Sequence, residues 1–261
     1  MHIKPKKSLG QNFLVDKNIQ NKIIDACGLK ISDTVLEIGS GRGELTRHLA
    51  PKVKNLLALE LDKRLCQLLK DEFRNDANVK IMNRNILKFN LSRYFGNIRD
   101  KIKVIGNIPY YITTPIITHL FKYSNIIGTI LLTVQKEFAH RIIAGPGSKD
   151  YGAFSCFVQY YSVPKLIFTI KKASFLPSPK VDSCFLSMDI RSQPPVLSSD
   201  ERLFFRIIRH AFNQRRKILK NSLEGVVAPE KIALFFEKYN IDPRIRPESL
   251  GLDDFARLSS L

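Results

Sequence analysis

Four consecutive residues, Asn107-Ile108-Pro109-Tyr110, bring together an amide, a main-chain carbonyl and an aromatic ring. They follow the apolar run Lys103-Val104-Ile105-Gly106, which reads as a buried strand. Pro109 has no N–H to give a sheet and biases Ile108 towards an extended conformation, so the strand ends there. Ligands of open α/β sheets bind at that end. The group suits a planar base carrying an exocyclic amine: Asn107 Oδ1 and the Ile108 carbonyl each accept an N–H, and Tyr110 stacks on the ring.

A second constellation lies upstream. The run Thr34-Val35-Leu36-Glu37-Ile38 leads into Gly39-Ser40-Gly41-Arg42-Gly43, where glycine lets the backbone approach a ligand closely. The spacing is Gly-x-Gly-x-Gly, not the dinucleotide fingerprint, and Glu37 stands in the strand just before it. That carboxylate repels a pyrophosphate and suits a cation. S-adenosylmethionine, with its ammonium and sulfonium groups, fits better than NAD. Glu60 ends the next apolar run, where a carboxylate bonds the ribose hydroxyls of an adenosine cofactor. Asn85, after a third run (Val79–Met82), is placed to bond an adenine edge.

The elements that must carry these residues alternate. Asp16 caps a helix with apolar positions Ile19, Ile23, Ile24 and Cys27, closed by Gly28. Helical spacing recurs through Leu65, Leu68, Leu69 and Phe73, and again through Ile116, Ile117, Leu120 and Phe121. Strands fall at 34–38, 55–60, 79–82, 103–106 and 126–134, with two more near 165–170 and 184–190. This βαβα order predicts an α/β fold with a parallel, doubly wound, Rossmann-like sheet. Residues 144–152, rich in glycine, read as a loop and a candidate substrate lid. Phe175, stiffened by Pro177 and Pro179, either covers a pocket or belongs to the core.

Gln193-Pro194-Pro195 breaks the composition and divides the chain into residues 1–191 and 192–261. A long helix is expected from Ser198–Glu201 onwards. Leu203, Phe204, Ile207, Ile208, Ala211, Phe212, Ile218 and Leu219 share one side, and Arg202, Arg206, Arg209, Arg216, Lys217 and Lys220 form a stripe opposite. Arg215 falls on the apolar side. No acid lies between Arg202 and Lys220, so ion pairing along the helix does not explain the stripe, and phosphate contact does. The remainder predicts a small all-helical C-terminal domain.

Composition agrees. The 261 residues carry a formal net charge of +18. Residues 1–191 hold 30 Lys and Arg against 15 Asp and Glu, and residues 192–261 hold 12 against 9. Such a field attracts polyanions. No apolar run reaches the roughly 20 residues of a membrane span, and the N-terminus has no signal-peptide character. Cys27, Cys66, Cys156 and Cys184 lack metal-ligand or disulfide spacing, so no metal is expected and buried, reduced thiols are. A cytoplasmic location follows.

Together these residues resemble the ribosomal RNA adenine N6-dimethyltransferase family over nearly the whole chain. The resemblance rests on Ser8–Leu14, Glu37-Ile38-Gly39-Ser40-Gly41, Glu60-Leu61-Asp62, Asn107–Tyr110, Gln135-Lys136-Glu137 and Phe175–Ser183. One branch of the family modifies two adjacent adenosines near the 3′ end of small-subunit (16S) rRNA during ribosome maturation. The other modifies large-subunit rRNA. Phe212–Lys217, Leu250–Leu258, Thr113-Thr114-Pro115 and Val181-Asp182-Ser183 resemble the small-subunit branch. The resemblance implies a class I methyltransferase sheet in residues 1–191 and an RNA- or ribosome-binding helical domain in 192–261. It further implies S-adenosylmethionine contacts at Asn12, Leu14, Gly39, Glu60, Asn85 and Asn107. Asn107, Ile108, Pro109, Tyr110 and Phe175 are the implied catalytic set. RNA contacts are expected at Arg206, Arg209, Arg215, Arg216, Lys217 and Lys220. The implied partner is 16S rRNA or the immature small subunit, bound by a monomer. The family usually carries Asp where this chain has Asn85.

Overall fold

The computed structural model describes residues 3–214 and 217–261. It falls into two compact units, Met1–Ala139 with Lys165–Ile190, and His140–Pro164 with Arg191–Leu261.

Among the described residues there are nine strands: β1 (Phe13–Leu14), β2 (Thr34–Ile38), β3 (Asn55–Glu60), β4 (Val79–Asn83), β5 (Ile102–Asn107), β6 (Ile127–Gln135), β7 (Ser162–Ile170), β8 (Phe175–Leu176) and β9 (Ser183–Ile190). Seven form one sheet in the order β4-β3-β2-β5-β6-β9-β7, and β1 pairs with β8 in a separate two-stranded ribbon. β2 pairs in parallel with β3 and with β5, β3 with β4, and β5 with β6. The chain leaves β2 towards β3 on one side and returns at β5 on the other. The carboxyl ends of β2 and β5 therefore flank a crevice where ligands of such sheets bind.

The sheet is mixed, not wholly parallel, because β9 runs antiparallel to β6. Its first six residues are all buried, so no alternation marks its surroundings. A run buried on both faces reads alike in either direction.

Local chemistry sets the helix starts. Asp16 accepts from the Asn18 and Ile19 amides to cap the helix Lys17–Ala26, and Asp62 accepts from the Arg64 amide to cap Lys63–Glu72. The apolar faces of these helices pack Ile23, Ile24, Cys66 and Leu69 into the core with Val35, Leu56 and Ile105. β2 and β5 approach closely at Gly106: a Cβ there would stand 2.7 Å from the Ile38 carbonyl oxygen. Only glycine fits without moving the strand that carries the Gly-rich turn.

In the second unit, Tyr151, Cys156 and Tyr160 share one core with Phe204, Ile207, Phe212, Phe235 and Phe255. Residues 140–164, expected with the sheet, thus pack in the helical unit. Burial of two large aromatics there outweighs proximity in sequence. The loop 144–152 is anchored rather than lid-like: Gly147 N donates to Glu248 O at 2.7 Å, and Tyr151 is fully buried.

The long basic helix is also shorter than its periodicity predicts. It spans Glu201–Asn213, and a separate turn follows at Leu219–Ser222. The Leu219 amide donates to Ile245 O at 2.8 Å, a tertiary bond that replaces helix continuation. Arg202, Arg206 and Arg209 remain one exposed face of that helix, whereas Lys217 and Lys220, also exposed, lie beyond its end. Arg215 and Arg216 lie outside the described residues. All four cysteines are buried thiols without a disulfide partner. Among the described residues no group of His, Cys, Asp or Glu could hold a metal ion, and no helix is long and apolar enough to cross a membrane.

Candidate active site

One pocket in the first unit gathers residues that lie far apart in sequence: Asn12 and Leu14 from the β1 segment, Glu37 and Gly39 from β2 and its turn, Glu60 from β3, Asn85 after β4, and Asn107 to Tyr110 from the end of β5 and the turn beyond it. Positive φ at Gly39 (72°) and Gly41 (58°) lets the turn fold back over the strand ends. There Gly39 N donates to Leu59 O at 2.8 Å.

Glu60 holds the turn in place. Its Oε2 accepts from Gly41 N and its Oε1 from Asp62 N, both at 2.8 Å. A carboxylate offers about four lone-pair sites, so two remain for a vicinal diol. Burial pushes the Glu60 carboxyl above the usual range, while the Asp62, Gly41 and Leu61 amides pull it back. Beside it, the Arg64 guanidinium holds buried Asp62 down at about 2.

Glu37 is 2% exposed and accepts from Thr46 Oγ1 at 2.7 Å. Burial pushes its carboxyl up to about 8; the Thr46 hydroxyl opposes that rise, and nearby Glu44 and Glu60 add to it. Glu37, Glu44 and Glu60 all line the pocket, and the carboxyl of each is raised. A lining with three acids, and no basic partner for Glu37 among the described residues, favours a cationic guest. Ser40 Oγ, also buried in the lining, has no hydrogen-bond partner, which is a further polar atom for a ligand to meet. The lining therefore fits S-adenosylmethionine: acids for its cationic end, lone pairs for its ribose, and apolar Leu61 and Ile86 for its base.

At the β5 end, Asn107 Nδ2 donates to Asn12 O at 2.9 Å. This fixes the amide so that Oδ1 has no donor among the described residues. The Ile108 carbonyl accepts from no donor among the described residues, and Pro109 O accepts from Ile112 N at 3.2 Å to close the turn. The two acceptors expected from the sequence are thus both available. Tyr110 is half-buried, and its hydroxyl hydrogen-bonds Ser183 Oγ of β9. Burial raises that phenol, with Ser183 opposing.

Two expectations change. Phe175 does not line the pocket. It is 3% exposed, paired with Leu14 across the β1–β8 ribbon, and packed in the core with Ile170 and Phe185. Of its two readings the structure supports the core one, because Phe175 is buried among apolar Leu14, Ile170 and Phe185. Asn85 does line the pocket, but its Oδ1 already accepts from Leu87 N at 2.9 Å. An amide oxygen so engaged keeps one lone pair for a ligand; a carboxylate would keep three and add charge. Asn85→Asp is expected to tighten S-adenosylmethionine binding ~3- to 10-fold in titration calorimetry. Equal or weaker affinity would count against this role. Ser183 was legible only as a member of a motif, without a role, and Tyr111, which also lines the pocket, escaped sequence reasoning. Its one available signal was an aromatic directly after Tyr110.

A largely parallel sheet with a Gly-rich turn after β2, an acid at the tip of β3 and a ligand-sized pocket at the carboxyl ends of β2 and β5 defines a Rossmann-like methyltransferase. The chain belongs to the ribosomal RNA adenine dimethylase family, whose profile matches residues 2–260. It is 41% identical to a ribosomal RNA small subunit methyltransferase A of Geobacillus thermodenitrificans over 264 residues, covering 98% of this chain and 90% of that one. A crystal structure of a Plasmodium falciparum dimethyladenosine transferase superposes with a TM-score of 0.81 at 25% identity, covering 94% of this chain and 95% of that one. The 23S rRNA methyltransferase ErmE shares the fold, with a TM-score of 0.75 at 21% identity over 95% and 98% of the two chains. The enzyme is an rRNA adenine dimethyltransferase, and its cofactor is S-adenosylmethionine.

Proposed function

We propose that this enzyme transfers two methyl groups from S-adenosylmethionine to N6 of each of two adjacent adenosines near the 3′ end of 16S rRNA, during assembly of the small ribosomal subunit. The observation that carries the chemistry is the pair of unpartnered acceptors, Asn107 Oδ1 and the Ile108 carbonyl, beside the three-acid pocket. The small-subunit assignment is supported by 41% identity to a relative of that name over 98% of this chain.

The amine of adenine is a poor nucleophile because its lone pair is delocalised into the ring. Accepting its N–H groups at Asn107 and Ile108 localises that pair and aims it. Tyr110, its hydroxyl held by Ser183, stacks on the base once it has left its helix. Glu37 and Glu60 hold the donor, with Asn12, Leu14, Gly39 and Asn85 completing its cradle. When bound, the cofactor supplies a methyl group on a sulfonium, which is a good leaving group. No covalent enzyme adduct or strong base is then needed, and catalysis is positioning and electrostatics. After the first transfer one N–H remains, enough for one acceptor to orient a second.

Exposed Arg206 and Arg209 on one helix face, with Lys217 and Lys220 beyond it, supply phosphate contacts. Arg215 and Arg216 are assigned the same role from sequence. The first unit carries the chemistry and the second the RNA docking, in a cytoplasmic monomer. Labelled S-adenosylmethionine offered with immature small subunits, naked 16S rRNA, 23S rRNA or DNA tests the reading. Label in dimethyladenosine of 16S rRNA is expected; label confined to 23S rRNA or DNA would refute it.

A further inference from the structure

The mouth of the pocket carries an aromatic that the reaction above does not use. Tyr111 is 63% exposed, although it adjoins Tyr110 and lines the same cavity. Successive rings are split: Tyr110 turns its hydroxyl inward to Ser183, and Tyr111 stays in solvent with no hydrogen bond to any described residue.

The backbone that carries it is nonetheless held. The three-residue 3-10 turn Tyr110–Ile112 is held by Ile112 N donating to Pro109 O at 3.2 Å and by Thr113 Oγ1 donating to Tyr110 O at 3.0 Å. The ring packs where a side chain on residue 10 would lie: a Cβ on Gly10 would stand 3.0 Å from Tyr111 Cε1 and 3.1 Å from Cδ1. Gly10 also has φ of +60°, a conformation that favours glycine. An apolar ring left in water but backed by bare backbone gains nothing for the core. It is a preorganised flat surface beside a base-binding pocket, the arrangement that nucleobases stack on.

We propose that Tyr111 is the platform for a second nucleobase, the one flanking the adenosine held at Asn107 and Tyr110. This rests on the reading of the pocket as an adenine site. A target drawn out of its stack loses its neighbour's contact, and the neighbour loses its own. Tyr111 replaces the second loss, so the site takes a dinucleotide rather than a lone base.

The test is a coupling measurement. A short single-stranded RNA with one central adenosine flanked by adenosines is titrated by fluorescence anisotropy against the full-length protein saturated with S-adenosylhomocysteine. Two further RNAs carry an abasic site on one side or the other. Tyr111→Ala is expected to weaken binding of the intact RNA at least ~5-fold, with Tyr111→Phe within ~2-fold of the parent. An abasic site on one side should weaken the parent to a similar extent and cost Tyr111→Ala nothing more. Tyr111→Leu keeps bulk against Gly10 and loses the π face, so it should behave as the Ala variant does. The inference is overturned if Tyr111→Ala binds within ~2-fold of the parent, or if the abasic and Tyr111 losses simply add. Binding needs no methyl transfer. RNA bound with the coupling intact but never methylated would refute the proposed reaction and leave the platform standing; methylation without coupling would refute the platform alone.

Discussion

Asn107→Ala is expected to lower the methyl-transfer rate ~10²- to 10³-fold at saturating cofactor while leaving RNA affinity within ~2-fold, a loss comparable to removing one preorganised polar group from an active site. In the proposed mechanism Asn107 Oδ1 is one of two acceptors for the amine, and the Asn12 carbonyl aligns it by taking Nδ2. Phosphate contacts supply most of the binding energy for RNA and lie elsewhere, so affinity has little reason to fall. Asn107→Asp is a sharper probe. A carboxylate cannot donate to Asn12 O, so two acceptors would face each other and the segment carrying Asn12 should be released. Single-turnover transfer and filter binding separate the outcomes. A rate within ~3-fold of the parent, or equal losses in rate and in RNA affinity, would remove Asn107 from the mechanism.

Glu37→Gln should stabilise the cofactor-free enzyme, increasingly so as pH rises. The carboxyl sits at about 8 in the folded protein against an ordinary 4.5. Between those values the unfolded chain has released a proton that the folded chain retains, so folding stability falls as pH climbs from about 4.5 to about 8 and then levels. Glutamine keeps an acceptor for Thr46 Oγ1 and does not titrate. Its advantage should be small near pH 4.5 and reach on the order of 2–4 kcal/mol above pH 8. Thermal unfolding without cofactor at pH 5 and pH 9 checks this; equal shifts at both would sink it. The same substitution should weaken S-adenosylmethionine binding, because a cation beside Glu37 draws the carboxyl to its charged form. Parent binding near pH 7 should therefore release a proton, seen as a dependence of calorimetric heat on buffer ionisation enthalpy. An acid whose burial destabilises the empty fold, in a pocket that takes a cation, fits a functional charge.

Much of this was written locally. The strand ends at Ile38 and Asn107 follow from glycine and proline, the helix start at Lys17 from Asp16, and the cationic guest from one acid before a Gly-x-Gly-x-Gly turn. These signals need only a residue and its near neighbours. Tertiary contacts decided the remainder. Phe175 entered the core because Leu14, 161 residues earlier, became its ribbon partner. Residues 140–164 joined the helical unit because Tyr151 and Tyr160 found apolar neighbours there. The basic helix stopped at Asn213, with the Leu219 amide taken by Ile245. Tyr110 gained its anchor from Ser183, and Tyr111 its exposed seat from Gly10. Each of these outcomes depends on which distant segment arrives alongside, and periodicity, capping and composition carry no record of that.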